Sequence, residues 1–151
     1  MRRYAGLPRW LLIVPLLLGV GCIGMRAEPR RKPTPGHLGI IFKTVDEAAK
    51  AACAYVWKHE HRATRIEFCG VIYRDAEGIK AGLPVTNDEA GRCTGPFEPE
   101  GTEAEASYHN HKETEEFSFH DRTNPTLLSM YLCTPSGLVK RRTPDGTVIV
   151  K

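Results

Sequence analysis

AEASYHNHKETEEFSFHD, residues 104–121, is the stretch on which the fold and the chemistry both turn. Its first half, Ala104 to His111, reads as a strand that ends at two histidines. On a strand, residues two apart point to the same face. His109 and His111 can then grip one metal ion, with Asn110 pointing away. Zinc sites built for catalysis use three protein ligands and leave one position for water. Asp121, or His120 beside it, could return to the ion after a loop through Lys112–Phe117. Ser118 stands three residues before Asp121, a spacing that also fits a helix N-cap. Taken alone, His-x-His reads more readily as a polar strand end.

Outward from this stretch, TVDEAAKAACAYVWKHE (residues 44–60) is the best helix. Thr44 can cap it, and Glu47 three residues on completes a capping box. Ala and Lys fill the remainder. RIEFCGVIYR (65–74) mixes β-branched and aromatic residues as a strand does. DAEG (75–78) turns the chain, and IKAGLPVT (79–86) returns as a partner strand. Residues 87–102 read as loop. LGIIFKT (38–44) is a short strand or an extended lead-in. LLSMYLC and LVKRR flank the turn TPSG, and TPDG leads into TVIVK. A second helix after Ser118 must be short, because Pro125 interrupts it. The sum is an α+β domain with one main helix on a mostly antiparallel sheet.

The same tripeptide pattern recurs as HEH, residues 59–61, at the end of the main helix. Helical positions two apart do not share a face. His59 and His61 are therefore expected to be solvated helix-end residues, favourable there by the helix dipole. Trp57 is expected in the core near the helix end. Glu113, Glu115 and Glu116 read as a solvated loop, and Lys140, Arg141 and Arg142 as an exposed strand edge.

The first 22 residues carry Arg2, Arg3 and Arg9 ahead of an apolar run from Trp10 to Leu18. This is the pattern of an export signal. The run is shorter than the ~20 apolar residues a spanning helix needs and holds Pro15. LLGVGC resembles the lipobox of bacterial lipoproteins, which implies lipidation of Cys22 and a membrane anchor in the cell envelope. Residues 23–37, rich in Pro and Arg, read as a tether, and residues 38–151 as the folded domain. Of 21 basic and 18 acidic residues, three basic ones and no acidic ones lie in residues 1–22. The remainder is formally neutral, so the basic excess expected of a nucleic-acid partner is missing. Cys53, Cys69, Cys93 and Cys133 remain. Four cysteines in an exported chain predict two disulfides, with three pairings open. A four-cysteine zinc site is disfavoured, since no CxxC pair exists.

Glu67, two residues, Gly70 and an apolar strand, then His109-x-His111 and Ser118-x-x-Asp121, form an ordered set. It resembles the signature of the JAB/MPN (JAMM) metalloproteases. The chain also resembles a bacterial domain-of-unknown-function family, number 4329, through EFCGVIY, YHNH, FSFHD and YLCTPSG. The likeness spans roughly residues 40–150. It implies a JAB/MPN-like, cytidine-deaminase-like fold, with His109, His111 and Asp121 on zinc. It implies Glu67 as general base, Ser118 as a donor to the oxyanion, and hydrolysis of a peptide or isopeptide bond in a protein substrate. Where these enzymes carry Pro after the second histidine, this chain has Lys112. Cys69 and Cys133 replace glycines of the uncharacterised family and are expected to face each other as a disulfide. A deaminase would need Pro-Cys-x-x-Cys, which is absent. The string HNH does not make a nuclease, because that motif's letters are dispersed. The alternative function is a non-catalytic envelope lipoprotein that uses the domain to bind a partner.

Overall fold

A computed structural model describes residues 33–124 and 128–151. Helix α1 (Val45–His59) begins as expected: the Thr44 hydroxyl accepts the Glu47 N–H. The reciprocal bond differs from a standard capping box. The Glu47 carboxylate accepts from Lys43 N–H, one residue ahead of the cap. Ala48, Ala49, Ala52, Cys53 and Val56 are buried. This spacing forms a single stripe, and its small side chains let the helix lie close on a sheet.

The sheet has six strands: β1 (Cys69–Arg74), β2 (Ile79–Ala81), β3 (Glu103–Asn110), β4 (Ser129–Cys133), β5 (Val139–Thr143) and β6 (Gly146–Ile149). Their order is β2-β1-β3-β4-β5-β6. Only β3 and β4 pair in parallel, with His109 opposite Leu132 and Asn110 opposite Cys133. All other neighbours are antiparallel. The protein is thus α+β, built on an open, mostly antiparallel sheet. Residues 38–44 form no strand. They touch the edge of β2 through single bridges such as Phe42 to Ile79.

The pleat sorts side chains between two faces. Ile72, Ala106, Tyr108, Tyr131, Cys133 and Val139 join the helix stripe in the main core, with Trp57 packed partly against it. The opposite face holds a smaller cluster of Phe117, Met130 and Leu132. There the segment after β3 folds back, with α2 (Phe119–Thr123), before β4 begins. Ser107, His109 and, one residue beyond β3, His111 belong to this second face.

The expected Cys69–Cys133 bridge does not form. The disulfides join Cys53 to Cys133 and Cys69 to Cys93. Register explains the correction. Cys69 lies opposite His109 on β1, and Cys133 opposite Asn110 on β4. With β3 between them, their backbones stand two strand spacings apart, roughly 9–10 Å, beyond the reach of a disulfide. They also point to opposite faces.

Two bland expectations are also revised. β5 is an interior strand, and its cations are engaged. Lys140 reaches Glu116 at 2.5 Å, Arg141 reaches Asp46 at 3.0 Å, and Arg142 donates to the carbonyls of Asp121 and Asn124. The acidic loop is correspondingly anchored, with only Glu113 paired solely to its neighbour Lys112. The signal segment and Cys22 lie outside the described residues. No described helix is long and apolar enough to cross a membrane. Two disulfides are the mark of a non-cytoplasmic, oxidising setting.

Candidate metal centre

The end of β3 carries the site. His109 points to the second face and His111 follows on the same side. Asn110 turns inward between them and is fully buried. A buried amide must satisfy both its ends. Its carbonyl oxygen accepts from Phe68 N–H at 2.7 Å, and its NH2 donates to the Ala63 carbonyl at 2.8 Å. Asn110 therefore fastens β3 to the segment that delivers Glu67.

Glu67 sits two residues before β1, buried, with its carbonyl held by the Thr86 hydroxyl. The glycine three residues on has a steric cause. Gly70 lies opposite Tyr108, and a Cβ there would stand 2.3 Å from the Tyr108 ring. That ring is held by its hydroxyl on the Gly82 carbonyl at 2.6 Å.

Asp121 arrives on α2. Ser118 is the N-cap, and its hydroxyl oxygen accepts Asp121 N–H at 3.1 Å. In return Asp121 Oδ2 accepts from Ser118 N–H at 2.8 Å and from the Ser118 hydroxyl at 2.6 Å. This capping box fixes the carboxylate. Arg142 secures the other end of the short helix by gripping the Asp121 and Asn124 carbonyls.

Three ligand atoms converge. His109 Nε2 and His111 Nε2 are 3.2 Å apart. Asp121 Oδ2 lies 3.2 Å from His111 Nε2 and 3.5 Å from His109 Nε2. A tetrahedral zinc with bonds of 2.0–2.2 Å has ligand–ligand edges of about 3.3–3.6 Å. The triangle is therefore the size of one face of such a shell. His111 Nδ1 sits 2.9 Å from the Glu116 carbonyl. The Thr114 hydroxyl is equally near, 2.9 Å from Nδ1; since a carbonyl can only accept, a neutral ring that keeps this contact carries its proton on Nδ1 and can turn the Nε2 lone pair to a metal. Among the described residues these three form a group able to hold a metal ion. Glu67 stands beside it, Oε1 3.9 Å from His111 Nε2.

Electrostatics separates the two acids. Burial pushes the Glu67 carboxyl above its ordinary value, outweighing the pull of His109 and His111. Burial acts on Asp121 in the same direction, but hydrogen bonds from His109, His111 and Ser118 overcome it and hold it well below the carboxylate range. Burial opposes a charge on His111, yet the hydrogen bond and charge of Asp121 prevail and raise its pKa. The two acids are thus pushed in opposite directions, Asp121 toward the anion that ligation needs and Glu67 toward a stronger base.

The site residues expected from sequence thus meet, with Asp121 rather than His120 completing the group; His120 is exposed. His59 ends α1, exposed and stacked on Tyr55 at 4.5 Å. His61 lies past the helix end, so the pair is separated by the turn as well as by helical geometry. Sequence reading missed Asn110, Arg142 and the Glu116 carbonyl. Asn110 alone had a signal: a polar residue on the core side of a strand needs partners. No family model, curated protein or solved structure matches the chain.

Proposed function

We propose that the chain is an exported lipoprotein whose domain, of JAB/MPN kind, is a zinc-dependent hydrolase of peptide or isopeptide bonds. The observation that carries this reading is the closure of His109, His111 and Asp121 into a triangle of tetrahedral size with the buried Glu67 alongside. His109, His111 and Asp121 are the residues that would hold the ion. Zinc supplies Lewis acidity there, polarising the scissile carbonyl and acidifying water toward a pKa of about 7. Glu67 takes the proton from the attacking water and delivers it to the leaving nitrogen. Its raised pKa suits both transfers. Ser118, its oxygen oriented by Asp121 N–H, swings its hydroxyl hydrogen from the carboxylate to the substrate oxygen as negative charge develops. The formally neutral mature chain and the envelope setting fit a protein or peptide substrate and not nucleic acid.

Zinc content and peptidase activity, measured across variants of the full-length protein, test this. Wild type should hold one zinc. His109→Ala or Asp121→Ala should lose most of it, since two ligands rarely hold the ion. Glu67→Gln should keep the zinc and lower hydrolysis by about 10²–10⁴-fold. His59→Ala and His61→Ala should change neither. Absence of stoichiometric zinc in wild type defeats the reading. Zinc without Glu67-dependent hydrolysis favours the second reading, a partner-binding lipoprotein. The Ser118 hydroxyl, held on Asp121 at 2.6 Å, is the observation that lends that reading weight.

A further inference from the structure

The Glu116 carbonyl that fixes His111 belongs to a loop with no regular secondary structure, residues 111–118. Something must keep it in place. The Glu115 carboxylate is bidentate on the turn after β4: Oε1 accepts Ser136 N–H at 3.0 Å and Oε2 accepts the Ser136 hydroxyl at 2.8 Å. Ser136 is itself braced by Thr134 at 3.0 Å, and Thr134 is fully buried. On the far side of the carbonyl, Phe117 is buried in the second core cluster. The carbonyl between them has little freedom to leave His111 Nδ1.

We infer that Glu115 is a positioning residue for the metal centre: by clamping Ser136 it holds the Glu116 carbonyl on His111 Nδ1. Together with Lys140, which holds the Glu116 carboxylate, and the Thr114 hydroxyl, 2.9 Å from Nδ1, it favours the imidazole tautomer whose Nε2 faces the ion. This rests on the reading of His111 as a ligand, but the clamp acts in the metal-free protein as well. Glu115 never touches the ion or a substrate. The chain of contacts is carboxylate to Ser136, then backbone to carbonyl, then carbonyl to ring. Partners of this kind commonly alter metal affinity by about 10–100-fold when removed.

The contrast within the loop makes the inference specific. Glu113 is an acid two residues earlier, 75% exposed and paired only with Lys112 at 3.3 Å. It shares the loop and the charge but not the clamp.

The experiment uses full-length protein, with zinc alone as probe. Zinc affinity is measured by chelator competition, and the His111 tautomer by ¹⁵N NMR of the metal-free protein at a pH high enough for the ring to be neutral. Glu115→Ala should weaken zinc about 10–100-fold and convert His111 from a single Nδ1–H tautomer to a mixture. Glu115→Gln, which keeps an acceptor for Ser136, should recover much of both. Ser136→Gly, which removes the hydroxyl but keeps the N–H, should give a smaller loss. Combined with Glu115→Ala it should add little, because the two groups act as one unit. Glu113→Ala should leave both readouts at wild-type values. If Glu115→Ala retains wild-type affinity and a pure Nδ1–H tautomer, the inference fails. If Glu113→Ala matches it, the effect is loop charge and the inference also fails. Should wild type bind no zinc, the metal reading falls, while the tautomer in metal-free Glu115→Ala still decides the clamp. Should Glu115→Ala not fold, the Glu115→Gln and Ser136→Gly pair decides by the same tautomer signal.

Discussion

Asn110 sits between the two histidines and does the opposite job to theirs. They face the ion site; it faces the core, where it joins β3 to the chain entering β1. Replacing it by Ala would leave Phe68 N–H and the Ala63 carbonyl buried without their partner. Each such group costs about 1–3 kcal/mol. Asn110→Ala should therefore lower stability by about 2–6 kcal/mol in urea denaturation. It should also shift Glu67 relative to the histidines, reducing hydrolysis more than zinc content. Asn110→Asp should be at least as damaging, since a carboxylate cannot donate to Ala63. A variant with wild-type stability would show that the two hydrogen bonds contribute nothing net. His109, His111 and Asp121 were legible because their chemistry and spacing are local. His109 and His111 share a strand face by alternation, and Ser118 to Asp121 is one helical cap. Glu115 was not legible, because its role depends on Ser136, which lies on a different turn brought near only by the fold.

At the scale of elements, α1 was legible from its cap and its run of alanines, since both signals are short-range. The parallel pairing of β3 with β4 was not, because sequence alternation is blind to strand direction. The cysteine pairing was lost with it: once β3 stands between β1 and β4, Cys69 and Cys133 cannot meet. The two bridges that form brace the strands flanking the ligand-bearing end of β3. Cys69, opposite His109, is tied to the loop at Cys93; Cys133, opposite Asn110, is tied to α1 at Cys53. Their consequences should separate. The Cys53–Cys133 loop spans 80 residues and the Cys69–Cys93 loop 24. The loop-entropy relation gives about 4–5 and about 3–4 kcal/mol respectively. Replacing Cys53 and Cys133 by Ser should cause the larger fall in the urea midpoint. Replacing Cys69 and Cys93 should cost less stability but more activity per zinc, since Glu67 is two residues from Cys69 and its N–H bonds the Glu89 carbonyl at 3.3 Å. The reverse order in both measurements would mean that the bridges act through native packing and not as argued.

For the whole molecule, the question is how a domain with this site is presented. The proposed lipid at Cys22 and the domain are joined by a segment whose contacts with the domain are already present at Pro33, which bridges to Phe97, and at Thr34, whose N–H donates to the Phe97 carbonyl at 3.2 Å. Residues 23–32 separate the proposed lipid from Pro33 and lie outside the described residues. Ten residues in the extended form favoured by proline-rich chains would reach about 3 Å each, or roughly 30 Å in all. A lipid at Cys22, as proposed, would hold the candidate site within about that distance of the membrane surface. The same stretch contains Arg26, Arg30 and Arg31, each a site for trypsin. Brief trypsin treatment of native protein in vesicles should release a soluble fragment beginning at Ala27 or beyond. That fragment should keep both disulfides, its zinc and its Glu67-dependent activity. Cys22→Ser protein should already be soluble, or remain an uncleaved precursor. An unlipidated wild-type N-terminus by mass spectrometry, or a cleaved fragment that stays with the vesicles, would refute anchoring through Cys22. A released fragment that loses zinc would show that residues ahead of the cut take part in holding the site together.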